Sequence, residues 1–254
     1  AGPYAGDNHT PGLLRPLLYQ TVLNPLRARR AEALLAPGYV TPESLRGQRF
    51  AFLPLHTEPE VSQLVYARPL VNQIELARMI AYSLPADMVL VCKEHPWMVG
   101  KRSLGAYRKF LDIPRVRFAS PGLNARAFVK RADLVTVLTS SVGIEAAMLG
   151  KPVLTFGHAP FNLLPDHMVR RAADLLALPE TIVDLLAVHR AAARADEPEL
   201  EAYVAAVLAT SVPANLYSVL LGRAKVHSIG APDFDADVGN LAAFVRERLA
   251  AADS

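Results

Sequence analysis

The chain has 254 residues, 52% of them hydrophobic, which is enough apolar side chain to fill a substantial core and excludes a disordered polymer. Lys plus Arg number 27 against 24 Asp plus Glu, a formal charge of +3; the basic residues are scattered except at Arg27–Arg30, too thin for a nucleic-acid reader but suited to an anionic small ligand or a membrane surface. The single cysteine, Cys92, excludes an intrachain disulfide and fits a reducing compartment, no apolar stretch approaches the ~20 residues of a membrane span, and no signal-peptide pattern is present, so a soluble cytoplasmic protein is expected.

The chain opens without a methionine, which suggests a part of something longer, and residues 1–47 read as a helical entry segment. Leu13 to Leu35 has helical spacing interrupted by Pro16 and Pro25, predicting short helices joined by kinks. The first strand-like run begins at Arg49 (RFAFLPL). A helix follows over 72–84, a strand over 87–94, a helix over 104–113, a strand over 115–120 and a helix over 124–132. Next come a strand over 133–139, a helix over 141–150 and a strand over 152–157. Alternation at this pitch predicts an α/β domain over 48–168, a Rossmann-like parallel sheet with helices on both faces. Residues 169–254 read as a helical C-terminal extension packing on it, with helices over 178–195, 198–211 and 239–252.

In such a sheet ligands sit outside the carboxyl ends of the strands, so residues just past each strand are the first candidates. Lys93-Glu94-His95-Pro96 lies at one such end. Pro96 turns the chain out of the sheet, Lys93 and His95 offer donors to a phosphate, and Glu94 can orient one of them. A strand end with solvated charges accounts for the tetrapeptide equally well. Val135 to Leu154 holds the second candidate, where a strand runs through Thr139, Ser140 and Ser141 directly into a helix. Hydroxyl caps and first-turn N–H groups make that end an anion site, with Gly143 leaving room for close approach and Glu145 set for dipole compensation or ribose hydroxyls.

Four blocks, LPLHTEPEVS from Leu53, KEHPWMVGKRS from Lys93, LTSSVGIEAAMLGKPVLTFG from Leu138 and FNLLP from Phe161, occur in that order. Together they resemble the capsule polysaccharide biosynthesis proteins, including the β-Kdo transferases, which are distantly similar to bacterial sialyltransferases using CMP-sugars. The resemblance covers about Phe50 to Pro165. It implies a glycosyltransferase of the GT-B type, whose C-terminal Rossmann-like domain binds the nucleotide-sugar donor. It also implies that His95 with Pro96, and Ser140 with Ser141, contact the donor phosphate. Preorganised donors there would stabilise the charge that grows on the departing nucleotide, and a protonated His95 could act as general acid. This logic requires no cofactor and no metal.

His56, Glu58 and Glu60 alternate after the first main strand, where carboxylates can bind sugar hydroxyls or serve catalysis; a charged loop is the second reading. Gln73, just past Arg68 and Pro69, is expected to face the same cleft. Lys101 and Arg102 are candidate partners for a donor carboxylate or phosphate, with a solvated loop as the other reading, and Trp97 reads as a packing anchor. His158 and Asn162 follow a rim strand where the resembled family lines its donor cleft; His167 and His189 read as ordinary helix residues. The Arg27–Arg30 cluster reads as a solvated helix face, with peripheral attraction to an anionic membrane as its second reading.

Nothing before Arg49 alternates like a second Rossmann domain, so the acceptor-holding half is expected outside this chain, much reduced, or supplied by a partner chain. Three functions follow: the donor-binding part of a surface-polysaccharide glycosyltransferase using CMP-Kdo or a related CMP-sugar and a glycan or glycolipid acceptor; a GT-B-type nucleotide-sugar epimerase; or a donor-binding module without chemistry of its own. Ser141 and Val142 stand where the epimerases usually carry a Gly-rich turn, which counts against the second.

Overall fold

The computed structural model describes residues 18–58, 61–67, 70, 72–192, 198–213 and 234–252. The strands are β1 (Tyr39–Val40), β2 (Arg49–Pro54), β3 (Met88–Lys93), β4 (Val116–Ala119), β5 (Leu134–Val137), β6 (Val153–Thr155) and β7 (Val169–Arg171). The helices are α1 (Asn24–Leu35), α2 (Val61–Tyr66), α3 (Gln73–Ser83), α4 (Leu104–Leu111), α5 (Ala125–Val129), α6 (Val142–Met148), α7 (Leu178–Ala191), α8 (Pro198–Ala209) and α9 (Phe234–Ala252). None of the described helices is long and apolar enough to cross a membrane.

All seven strands are parallel, in the order β1-β4-β3-β2-β5-β6-β7. Without β1 this is the strand order of the doubly wound nucleotide-binding fold, and its direction reverses between β2 and β5. The continuous apolar runs of the central strands follow from helices covering both faces, since no side of such a strand meets water. On one face Ala51, Leu53, Leu90, Cys92, Phe118 and Leu154 pack with α1, α3, α4 and α7 through Leu35, Ile80, Phe110 and Leu185. On the other, Phe52 stacks on Phe128 of α5 with ring centroids 5.6 Å apart.

Several features depart from the pattern read off the sequence: α2 lies where no helix was expected, and β7, inside the segment read as helical, pairs in parallel with β6. Tyr39–Val40, inside the segment expected to hold no strand, pairs with β4 and extends the sheet by one short edge strand. Pro25 does not break its helix: it sits in the first turn of α1, where its missing N–H is not needed, and a π-helical turn over Tyr19–Leu23 leads straight into it. Pro16 lies outside the described residues. By chain contacts the protein divides into two compact units, 1–196 and 197–254, the first holding the whole sheet and α7. In the second unit Asn240 donates to the Pro213 carbonyl at 3.2 Å and Arg248 to that of Ala209 at 3.4 Å.

Helix α1 is fixed to the loop after β3 by a backbone contact that only glycine permits. Gly100 has φ +83°, and a Cβ there would lie 2.7 Å from the Ala28 nitrogen and 2.8 Å from the Asn24 carbonyl oxygen. Gly150 has φ +64° but open space around it. Gly150→Ala should therefore cost about 1–2 kcal/mol, from left-handed backbone strain alone. Gly100→Ala should cost clearly more in the same urea-unfolding experiment; equal losses would show that α1 does not press on this loop.

Candidate functional site

The polar residues singled out at the strand ends stand along the carboxyl rim of β3, β2, β5 and β6. At β3 the period-two alternation carries Leu90 and Cys92 onto the core face and takes Glu94 with them, so this carboxylate is 1% exposed. A carboxylate in such a place must be paired. Glu94 accepts from Arg102 Nε at 2.8 Å, from the Tyr107 hydroxyl at 3.0 Å and from the His95 N–H at 3.1 Å. Ser103 caps α4 by accepting from Ala106 N at 3.1 Å, and that helix carries Tyr107 inward. Burial, then the nearby Glu94 charge, pushes the Tyr107 hydroxyl far up, so it stays a donor. Burial alone would pull Arg102 down, but Glu94 and Glu58 outweigh it and keep the guanidinium charged.

The same arginine reaches the loop after β2, donating from Nη1 to Glu58 at 3.0 Å. Gln73, the first residue of α3, accepts from His56 N at 2.7 Å, donates to the His56 carbonyl at 3.2 Å and makes a close contact with the other Glu58 oxygen. The loops after β2 and β3 are thus one hydrogen-bonded unit. It lines a cavity of about 520 Å³ with Glu58, Gln73, Met98, Lys101, Arg102 and Ser103 in its wall. Among the described residues Arg102 Nη2 is buried without a hydrogen-bond partner.

His95 is exposed, and its Nδ1 accepts the Trp97 N–H at 3.2 Å, capping the short turn Pro96–Met98. A neutral ring in this arrangement carries its proton on Nε2. Trp97 is 54% exposed and holds Lys101 Nζ 5.9 Å from its ring centre. Lys93 is buried, its ammonium donates to the Pro121 carbonyl at 2.9 Å, and burial lowers its pKa, with Glu94 opposing.

At β5, Ser140 rather than Ser141 makes the side-chain cap, its Oγ accepting from Val142 N at 3.3 Å. Glu145 is exposed in the first turn of α6. Gly143 serves packing rather than ligand approach: a Cβ there would lie 2.6 Å from the Phe161 ring. Thr139 and His158 share a second cavity of about 430 Å³ with Tyr66, Ala159 and Pro160. The Thr139 hydroxyl is buried there without a partner among the described residues. His158 Nε2 lies 3.4 Å from Arg171 Nη1, while Asn162 holds the turn after β6, accepting from Thr155 and donating to Gly157, both at 2.9 Å.

The structure thus joins Glu58, Gln73 and Arg102 at one cavity and Thr139 and His158 at another. His95 and the Ser140–Ser141 pair follow strands separated by β2, which places the strand ends about 10 Å apart. His56, 8% exposed, ends the strand between them. Neither cavity is lined by His95, Ser140 or Ser141. Glu60, Arg68 and Pro69 lie outside the described residues. Sequence reasoning missed Tyr107 and the anchoring part of Glu94, although carrying the alternation of β3 one residue further pointed Glu94 inward.

Residues 67–164 match the family described as capsule polysaccharide biosynthesis protein. That stretch contains the Lys93 and Leu138 blocks and Phe161–Leu164, so the resemblance read from the motifs is shown there; the Leu53 block precedes it. Protein FixF of Sinorhizobium fredii (strain NBRC 101917 / NGR234) is 29% identical over 144 residues, 56% of this chain and 31% of FixF. Among solved structures, Thermosulfurimonas dismutans KpsC, a β-Kdo 2,7 transferase, aligns at 22% identity and TM-score 0.40 over 68% of this chain and 58% of its own. The S. aureus MnaA–UDP co-structure aligns at 14% identity and TM-score 0.46 over 73% and 49%. The chain spans under a third of FixF and roughly half of these two solved chains.

The Glu94–Arg102 pair generates a stability prediction. Arg102→Met strands a buried carboxylate and should cost about 3–5 kcal/mol in denaturant unfolding. Adding Glu94→Gln should restore part of that loss, and purely additive losses would show that the pair is not coupled.

Proposed function

We propose that the 1–196 unit is the donor-binding part of a glycosyltransferase of surface polysaccharide synthesis, taking a CMP-activated acidic sugar such as CMP-Kdo, with a glycan or glycolipid as acceptor. The observation that carries this reading is the Thr139 hydroxyl, buried at the carboxyl end of β5, beside the reversal in strand order, with no protein partner among the described residues. An unsatisfied buried hydroxyl costs about 1–3 kcal/mol, so a ligand that accepts its proton is favoured there. The family match over residues 67–164 supports the polysaccharide-synthesis part of the reading.

In this reading the donor phosphate lies across the rim between β3 and β5. His95 donates from Nε2 in the neutral form that its bond to Trp97 N selects, and protonating Nδ1 would sacrifice that bond. Ser140 Oγ accepts from Val142 N, which leaves its hydroxyl proton for a phosphate oxygen. As the bond from sugar to phosphate breaks, the electron pair moves onto the leaving phosphate. Donors already in position stabilise that charge more than they stabilise the ground state. Glu58, held by Arg102 and Gln73 but with its side chain 34% exposed, is placed to accept from sugar hydroxyls. The acceptor surface and the group that activates the acceptor come from a second domain or a partner chain.

Calorimetric titration with CMP, CMP-Kdo, UDP and UDP-GlcNAc tests the reading. Cytidine nucleotides should bind, and His95→Ala should weaken them by about tenfold to a hundredfold, the loss of a hydrogen bond to a charged group. Unchanged affinity in that variant would remove His95 from the phosphate site. Conversion of UDP-GlcNAc to its C2 epimer without an acceptor would replace the transferase reading with an epimerase one.

A further inference from the structure

The cavity of about 520 Å³ at the loops after β2 and β3 has no occupant in the proposed function, which takes only Glu58 from its wall. That wall carries an unpaired donor. Arg102 is 7% exposed, gives Nε to Glu94 and Nη1 to Glu58, and leaves Nη2 buried without a hydrogen-bond partner among the described residues. A buried N–H with nothing to accept it is unfavourable, so the place selects for an acceptor. The guanidinium is a rigid plane, and holding Nε and Nη1 fixes the direction of Nη2 as well. Glu58 is fixed beside it, its N–H donating to the Met98 sulfur at 3.5 Å and its carboxylate in contact with Gln73.

The surroundings of Arg102 decide which acceptor fits. This guanidinium already faces two carboxylates, and an anion at Nη2 would meet the Glu58 charge. A hydroxyl would not, because its oxygen accepts from Nη2 while its proton goes to Glu58, whose side chain is partly exposed. A single water would make the same two bonds, yet it would leave the Leu64 and Ile74 side chains, which also line the cavity, facing solvent. A sugar ring meets both demands, with neighbouring hydroxyls on its edge and C–H groups on its face. Ser103 stands in the same wall, and since its Oγ accepts from Ala106 N its own proton remains for a further hydroxyl.

We propose that this cavity is a sugar-ring site, in which Arg102 Nη2 and Glu58 grip neighbouring hydroxyls of one pyranose. The ring is either the sugar carried by the donor or a residue of the glycan; the chemistry at the cavity is shared. The proposal rests on the transferase reading for what the ring is attached to, not for the cavity itself.

Two variants of the full chain alter the cavity and leave the phosphate rim alone. Ala106→Leu fills it from a half-buried position on α4, and Glu58→Gln removes the charge but keeps an oxygen for Arg102. Calorimetry should find CMP-Kdo bound at least about tenfold tighter than CMP, the worth of a hydrogen bond to a charged group. Ala106→Leu should close that gap, Glu58→Gln should narrow it, and neither should move CMP; this result assigns the donor's sugar to the cavity. Where the gap is absent, saturation-transfer NMR with the methyl glycosides of glucose, galactose and N-acetylglucosamine takes its place, and transfer lost in Ala106→Leu assigns a glycan residue. The proposal falls if gap and transfer are both absent, or if whichever is present is the same in both variants as in the parent. Failure of CMP and CMP-Kdo alike to bind would overturn the transferase reading instead, and the glycosides would still decide the cavity.

Discussion

The buried carboxylate of Glu94 organises the candidate site. An ionised group in the core of a sheet is tolerated only when its oxygens are fully engaged, and Arg102, Tyr107 and the His95 N–H engage this one. Through Arg102 the same charge reaches Glu58 and hence Gln73 and the His56 backbone. The direction of the chain at Pro96, and with it the place of the His95 imidazole, is therefore set by a network rather than by the proline alone.

A second constraint comes from topology. Because the strand order reverses between β2 and β5, the loops after these strands diverge, the place where such sheets bind their ligands. His56, Thr139 and Ser140 follow the two strands at that reversal, and His95 follows β3, the next strand along. A phosphate that touches both His95 and Ser140 must lie across the end of β2.

The central strands and α3 to α7 were legible because their apolar periodicity is strong, and three of these helices start on a side-chain cap: Asn72 accepts from Ile74 N and Glu75 N, Ser103 from Ala106 N and Asn124 from Arg126 N. β1 was not legible, since two residues carry no period and its pairing with β4 is decided by tertiary packing. The rim positions could be named from sequence, yet the behaviour of each side chain could not. Lys93 reads as a ligand donor but lies buried on the Pro121 carbonyl. Gly143 reads as room for a ligand but makes room for Phe161. Both outcomes depend on residues distant in the chain, which local spacing cannot supply.

The account stands on one phosphate bridging two strand ends. A crystal structure of the protein with bound cytidine monophosphate tests that most directly. Phosphate oxygens should lie about 2.7–3.2 Å from His95 Nε2 and from the Ser140 hydroxyl, with the Trp97 to His95 bond intact. A nucleotide seated elsewhere, or a phosphate touching neither group, would contradict it.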